Sequence, residues 1–211
     1  MDEELLFTIG GVSLQGDLAV PQTARGVIVF AHGSGSSRLS GRNRYVASTL
    51  RAGGAFGTLL FDLLTQDEDL EYANRFDIQL LANRLESATV QLRAHDGFER
   101  MSIGYFGAST GAAAAIVAAA RAGDEVRAVV SRGGRPDLAE GALDRLLSPT
   151  LLIVGGQDEV VLSLNRSALA RIPAEEKSLQ IVPGATHLFE EPGTLEKAAQ
   201  LTREWFDRYL R

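Results

Sequence analysis

Gly107-Ala108-Ser109-Thr110-Gly111 is the stretch on which the reading of this sequence turns. An apolar run, Met101 to Phe106, precedes it, and an alanine-rich run, Ala112 to Ala120, follows it. That order predicts a strand, a sharp turn with Ser109 at its apex, and a helix. A serine in such a turn has a strained backbone, and side chains two positions to either side would clash. Glycine at both flanks removes the clash. The turn exposes the hydroxyl at the start of the helix, where backbone N–H groups and the dipole favour developing negative charge. The same five residues also suit an ordinary turn, so the partners of a nucleophilic serine have to be sought elsewhere in the chain.

Outward from the turn, strand and helix signals alternate. Leu5, Phe7 and Ile9 alternate with polar residues, as do Val12, Leu14 and Leu18, with Gly10-Gly11 between them. This predicts a hairpin of two half-buried strands, ended by Pro21. Val27 to Ala31 is continuously apolar, as a strand covered on both faces would be, and runs into His32-Gly33-Ser34-Gly35-Ser36-Ser37. A short helix through Leu50, closed by Gly53-Gly54, leads to a strand Thr58 to Phe61. Thr65 to Asn74 reads as a surface loop or short helix. Asp77 is a candidate N-cap for a helix carrying Leu81, Leu85, Ala88 and Leu92.

Beyond the serine turn, Val126 to Val130 reads as a strand and Ser131 to Asp137 as a loop. A helix to Leu147 is predicted next, with Asp137 as its N-cap. Thr150 to Val154 is a strand that ends in Gly155-Gly156-Gln157-Asp158, and Leu162 to Ile172 a helix. Leu179 to Val182 is the last strand, followed by Gly184-Ala185-Thr186-His187. Thr194 is the candidate cap of a final helix. The pattern predicts a single α/β domain over residues 1–211: a mostly parallel sheet with helices on both faces and an antiparallel edge. In such sheets ligands bind outside the carboxyl ends of the strands. Ser109, Asp158, His187 and His32 each fall just past a predicted strand.

A serine nucleophile needs a base, an acid to orient the base, and donors for an oxyanion. His187, in the loop after the last strand, is the candidate base. Asp158, after the preceding strand, is the candidate acid, although an aspartate there also suits a helix cap. Asp137 is the fallback acid. The order Ser109, Asp158, His187 is the chain order of one of the known Ser-Asp-His arrangements. The oxyanion donors would be the backbone N–H groups of Thr110 and Ser34. His32 is read as fixing its loop by hydrogen bonding, and His95 as a solvated helix cap.

Composition narrows the function. The chain has 211 residues, 45% hydrophobic and 23% charged, with a formal net charge of −6. That charge argues against a nucleic-acid footprint. No cysteine is present, which excludes a disulfide framework, a thiolate nucleophile and a cysteine metal site. The start, Met1-Asp2-Glu3-Glu4, is acidic where a signal peptide would be basic. No long apolar segment follows it, so the expectation is a cytoplasmic protein without a membrane partner.

These residues carry a resemblance. The chain resembles the α/β-hydrolase superfamily and, within it, the small dienelactone-hydrolase-like group, over almost its whole length. The motifs are His32-Gly33-Ser34-Gly35, Gly107-Ala108-Ser109-Thr110-Gly111, Gly156-Gln157-Asp158 and Gly184-Ala185-Thr186-His187. The resemblance implies an eight-stranded sheet with its second strand antiparallel. It implies Ser109 as nucleophile, Asp158 as acid, His187 as base, and Ser34 and Thr110 at the oxyanion hole. Dienelactone hydrolase proper uses a cysteine nucleophile, which this chain lacks, so a serine esterase is favoured over dienelactone as substrate. The expectation is a serine carboxylesterase for small soluble esters, with no cofactor and no metal, as monomer or homodimer. Lactone or thioester hydrolysis, acyl transfer, and a non-catalytic binding protein are the alternatives.

The interval between Ser131 and Thr150 is too short for a lid, which suits an open site. Arg38, Arg42, Arg44, Arg132 and Arg135 lie near strand ends and would favour an anionic group if they face the cleft, or are surface residues. Arg38 and Phe189 are the candidate substrate contacts. Gly33-Ser34-Gly35-Ser36-Ser37-Arg38 approaches a dinucleotide-binding G-x-G-x-x-G, but Arg38 stands where the third glycine packs helix on strand.

Overall fold

The computed structural model describes residues 1–211. The opening hairpin is β1 (Asp2–Ile9) and β2 (Val12–Ala19), antiparallel with Ile9 opposite Val12. Gly10 and Gly11 join them at φ 60° and 84°. Two positive φ values in succession match the twist of the flanking strands, and only glycine adopts both without strain. Six further strands run parallel to one another: β3 (Gly26–Ala31), β4 (Phe56–Phe61), β5 (Ser102–Ala108), β6 (Val126–Arg132), β7 (Thr150–Gly155) and β8 (Lys177–Val182). The sheet order is β1-β2-β4-β3-β5-β6-β7-β8, with β2 antiparallel to β4. This is the eight-stranded α/β-hydrolase sheet, with its N-terminal antiparallel pair.

Helices α1 (Gly41–Arg51), α3 (Ile78–Arg93), α4 (Thr110–Ala122), α5 (Glu159–Arg171) and α6 (Thr194–Tyr209) cover the sheet, and the short α2 (Gln66–Leu70), with no buried residue, lies between β4 and α3. Each strand's alternate residues feed two cores. Val29, Tyr105 and Val129 join Leu85 of α3 and Ile116 of α4 on one side. Ile28, Phe106 and Val130 join Leu50 of α1 and Phe206 of α6 on the other. Phe206 lies where a side chain at Gly104 would be. Truncating a fully buried phenylalanine of this kind costs about 3–5 kcal/mol.

Helix α4 is buried from Thr110 to Ala119. Its alanines let it sit directly behind the sheet, and a Cβ on Gly111 would run into the backbone at Ala31 and His32. The serine turn is therefore pressed against the end of β3, where the next loop begins. Asp77 caps α3, accepting from the N–H of Leu80 at 2.9 Å.

Three local expectations are corrected. Residues Pro136–Arg145 form 3-10 turns broken at Glu140 (φ 45°), in place of the helix expected up to Leu147. Asp137 does not cap them; its carboxylate pairs with Arg135 at 2.7 Å. The cap of α6 is Gly193, and Thr194 is the first helical residue, its hydroxyl donating to the carbonyl of Glu191 at 2.7 Å.

Candidate active site

Ser109 sits between β5 and α4 at φ 52° and ψ −120°. A non-glycine residue there is strained and persists only where its surroundings over-determine it. Here they do. Its N–H donates to the carbonyl of Arg132 at 3.2 Å, and its own carbonyl accepts from Ala112 and Arg135, each at 3.1 Å. A Cβ on Gly107 would lie 2.6 Å from the carbonyl of Gly111, so both flanking glycines are required by close backbone approach.

His187 stands in the loop after β8. Its Nδ1 lies 2.7 Å from Oδ2 of Asp158. The other carboxylate oxygen of Asp158 accepts from the N–H of Val161 at 3.4 Å and caps α5. One aspartate thus both caps a helix and orients a histidine. The His187 loop is stapled by Glu191, which accepts from the N–H and the hydroxyl of Thr186 at 3.1 and 2.6 Å. Those bonds hold the Glu191 carboxyl below the usual carboxylate range. Next to the histidine, Phe189 is buried at φ 56°.

Ser109 and His187 line one cavity of about 210 Å³, together with Ser34, Ser36, Ser40, Arg42, Asn43 and Arg132. The loop 33–37 brings Ser34 to it; a Cβ on Gly33 would lie 3.1 Å from Ser109 Cβ. Thr110, the first residue of α4, follows the serine directly. His32 holds this loop from behind. Its Nε2 accepts from the N–H of Leu63 at 3.0 Å and its Nδ1 lies 3.0 Å from the carbonyl of Gly33. Burial pushes its pKa down from 6.5, which keeps that ring nitrogen an acceptor.

The candidate substrate contacts fall elsewhere. Arg38 is bound to Asp62 at 2.7 Å and Asp17 at 3.2 Å, and lines a neighbouring cavity of about 420 Å³. Phe189 is 2% exposed and does not line the smaller cavity; Leu188 does. His95, expected as a solvated cap, packs edge-on against Phe98, with its Nε2 3.5 Å from Glu3. No group of three or more histidine, aspartate or glutamate side chains is placed to hold a metal ion.

Arg132 is the residue whose importance the sequence understated. It is 7% exposed and makes no ion pair. Its Nη2 donates to Oδ1 of Asn43 at 3.3 Å, while Nε and Nη1 have no partner. Burial, with Arg42 nearby, pushes its pKa down to about 10. The loop expected from Ser131 begins later: β6 runs on through Arg132, so Ala128, Val130 and Arg132 share one face of the strand, toward α1 and α6.

The dienelactone hydrolase family model matches residues 14–210. The chain belongs to that family. The crystal structure of a dienelactone hydrolase from Anabaena variabilis ATCC 29413 is 52% identical, covers 100% of this chain and 99% of its own, and superposes with a TM-score of 0.95. Est1E from Butyrivibrio proteoclasticus shares the fold at 17% identity, covering 97% and 98% of the two chains with a TM-score of 0.81. Two proteins of Mycobacterium tuberculosis, from strains CDC 1551 and H37Rv, are 58% identical over 99% of this chain and are named as candidate phosphoribosyl transferases. The match spans 47% of their length. No helix of this dienelactone hydrolase family member is long and apolar enough to cross a membrane.

Proposed function

We propose that the chain is a serine hydrolase of small carboxylic esters, working through Ser109, His187 and Asp158. The observation that carries this reading is the strained Ser109 sharing a cavity with a histidine whose far nitrogen is 2.7 Å from a carboxylate. Family membership supports hydrolase chemistry. In the proposed cycle the Ser109 hydroxyl attacks the ester carbonyl and passes its proton to Nε2 of His187. The N–H of the Nδ1 donates to Asp158, which fixes the tautomer and stabilises the imidazolium. The carbonyl oxygen becomes an oxyanion, held by the N–H groups of Thr110 and Ser34; one such donor contributes about 3–4 kcal/mol in known enzymes. The C–O bond breaks, His187 returns its proton to the leaving alcohol, and water releases the acyl group by the same steps.

Only residues 133–149 separate β6 from β7, and they hold 3-10 turns packed on the fold, so the cavity opens without a lid. The transferase name belongs to relatives about twice as long as this chain, and half of each lies outside the match. A fluorophosphonate probe tests the reading. Stoichiometric labelling at Ser109 is expected, absent in Ser109→Ala and strongly slowed in His187→Ala. Folded wild-type protein that stays unlabelled, and inert toward a series of nitrophenyl esters, would sink the assignment.

A further inference from the structure

Resting on the hydrolase reading, we propose that the cavity beside Ser109 binds a phosphoryl group of the substrate, between Arg132 and the N-terminus of α1. The ester it takes is then a small, phosphorylated one. The phosphoryl group is a handle and stays intact; the bond broken is still the carboxylic ester.

Two independent features face that space. The first is Arg132. A guanidinium 7% exposed, with one 3.3 Å bond to Asn43 and two nitrogens without partners, is an unanswered buried charge. Proteins rarely keep one unless something supplies the counter-charge. Phe106 and Phe189 flank it, their ring centroids 6.0 and 5.7 Å from the guanidinium carbon, and they add no anion. The second is α1, an 11-residue helix whose N-cap Ser40 and first-turn residues Arg42 and Asn43 line the same cavity. Its first turn contains no acidic residue; the Ser40 hydroxyl, neutral, accepts from the N–H of Asn43 at 3.3 Å, and no carboxylate answers the dipole there. Helix N-termini of this kind take anions through their backbone N–H groups.

The donors outnumber what a carboxylate can use. Two guanidiniums, the Asn43 amide and the hydroxyls of Ser34, Ser36 and Ser40 line the cavity, and no aspartate or glutamate does. A carboxylate offers two oxygens; a phosphoryl group offers three and up to two charges. Glu190, which pairs with the lining residue Arg42 at 2.9 Å, is 62% exposed, and Asp158 is held by His187. Arg132 has no such relief. A volume of about 210 Å³ leaves room for a phosphoryl group and a short ester, and little more.

The experiment is a titration of Ser109→Ala protein with inorganic phosphate by calorimetry, with acetate and malonate as parallel ligands. Phosphate should bind at least about tenfold tighter than either carboxylate. Arg132→Gln should weaken it by about 10- to 100-fold, the range for one charged hydrogen bond. Arg42→Gln should weaken it less, because that residue is exposed and shared with Glu190. Asn43→Asp supplies an internal counter-ion to Arg132; it should weaken phosphate binding by the same order as Arg132→Gln, and it keeps the test readable if Arg132→Gln fails to fold. Phosphate binding that both substitutions leave unchanged, absence of binding, or tighter binding of malonate would overturn the proposal. Fluorophosphonate labelling of wild type, read alongside, separates the two ideas. Labelling without phosphate binding sinks only the anion site, and phosphate binding without labelling sinks only the hydrolase.

Discussion

Arg38 and Arg132 stand on either side of the loop 33–37, which borders both cavities. Their surroundings differ in charge. Arg38 meets two carboxylates, Asp62 and Asp17, and Asp17 also binds Arg44 at 3.1 Å. Arg132 is more deeply buried and meets none. One side of the loop is electrostatically finished by the fold. The other holds an uncompensated cation beside the strained serine. Burial alone would predict the opposite, because the more buried charge needs its partner more. The difference separates a structural arginine from one kept for a ligand, and proximity to a strand end could not have made that distinction.

The sharpest way to break the comparison is to remove one carboxylate from each side. Asp158→Asn should lower kcat by about 10⁴-fold, because an amide there cannot hold the tautomer in which His187 accepts the serine proton. Asparagine caps helices as well as aspartate does, so α5 and the folded state should survive. Asp62→Asn removes a carboxylate from the other side. It should cost about 1–2 kcal/mol of stability through the broken bonds to Arg38, with kcat within a few-fold of wild type. Steady-state kinetics and urea unfolding on both variants give the answer. Equal kcat losses would mean that the loop does not divide the molecule as described.

Replacing the arginines themselves should give stability changes of opposite sign. Arg38→Met removes two ion pairs, leaving Asp17 with Arg44 and Asp62 with the backbone N–H of residue 38, and should destabilise by about 1–2 kcal/mol. Arg132→Met removes a buried charge that no acid answers and puts an apolar chain between Phe106 and Phe189. It should stabilise by about 1 kcal/mol, in line with apolar replacement of buried charges elsewhere. Sites kept strained or charged for function commonly gain stability when disarmed. Denaturant midpoints at unchanged m-value decide it. A clear loss of stability in Arg132→Met would show that its contacts are structural after all.

Much of this was legible in the sequence because apolar runs report buried parallel strands directly. All eight strands were marked, but their ends were not: β4 begins two residues earlier, where Gly57 packs against Val20, β8 begins two residues earlier, and β5 and β6 each run two residues further. The placement of Ser109, Asp158 and His187 past strand ends was legible because each follows such a run. The segment after β6 was not. Ala139, Ala142 and Leu143 are buried at spacings of three and four, which fit an α-helix and a 3-10 turn equally over ten residues. Nor was the pairing state of the arginines legible, since it depends on contacts between residues as distant as Arg38 and Asp62, or Arg132 and Asn43. The apolar run stops at Val130, which puts Arg132 in the predicted loop; only with β6 extended through Arg132 does alternation place it on the inner face, and even that cannot say that no acid waits there.

His32 supplies the smallest effect and the finest test of the finished side. Its ring is buried behind the loop, with Asp62 and Asp69 near enough to favour its protonation, yet burial dominates and lowers its pKa from 6.5. A base whose folded pKa is depressed binds fewer protons folded than unfolded. Its contribution is therefore complete above pH 6.5 and is lost as the pH falls below it, until the folded pKa is passed. One group of this kind can change stability by at most about 1.4 kcal/mol per pH unit. Protonation also ends the bond that Nε2 accepts from Leu63, so the loop carrying Ser34 should loosen over the same window. His32→Asn keeps an acceptor and removes the titration. Its unfolding free energy should be lower than wild type at pH 8, with a shallower decline between pH 6.5 and 5. Parallel pH profiles for the two proteins would mean that His32 binds its proton equally well folded and unfolded, and burial would then not be what keeps its Nε2 an acceptor.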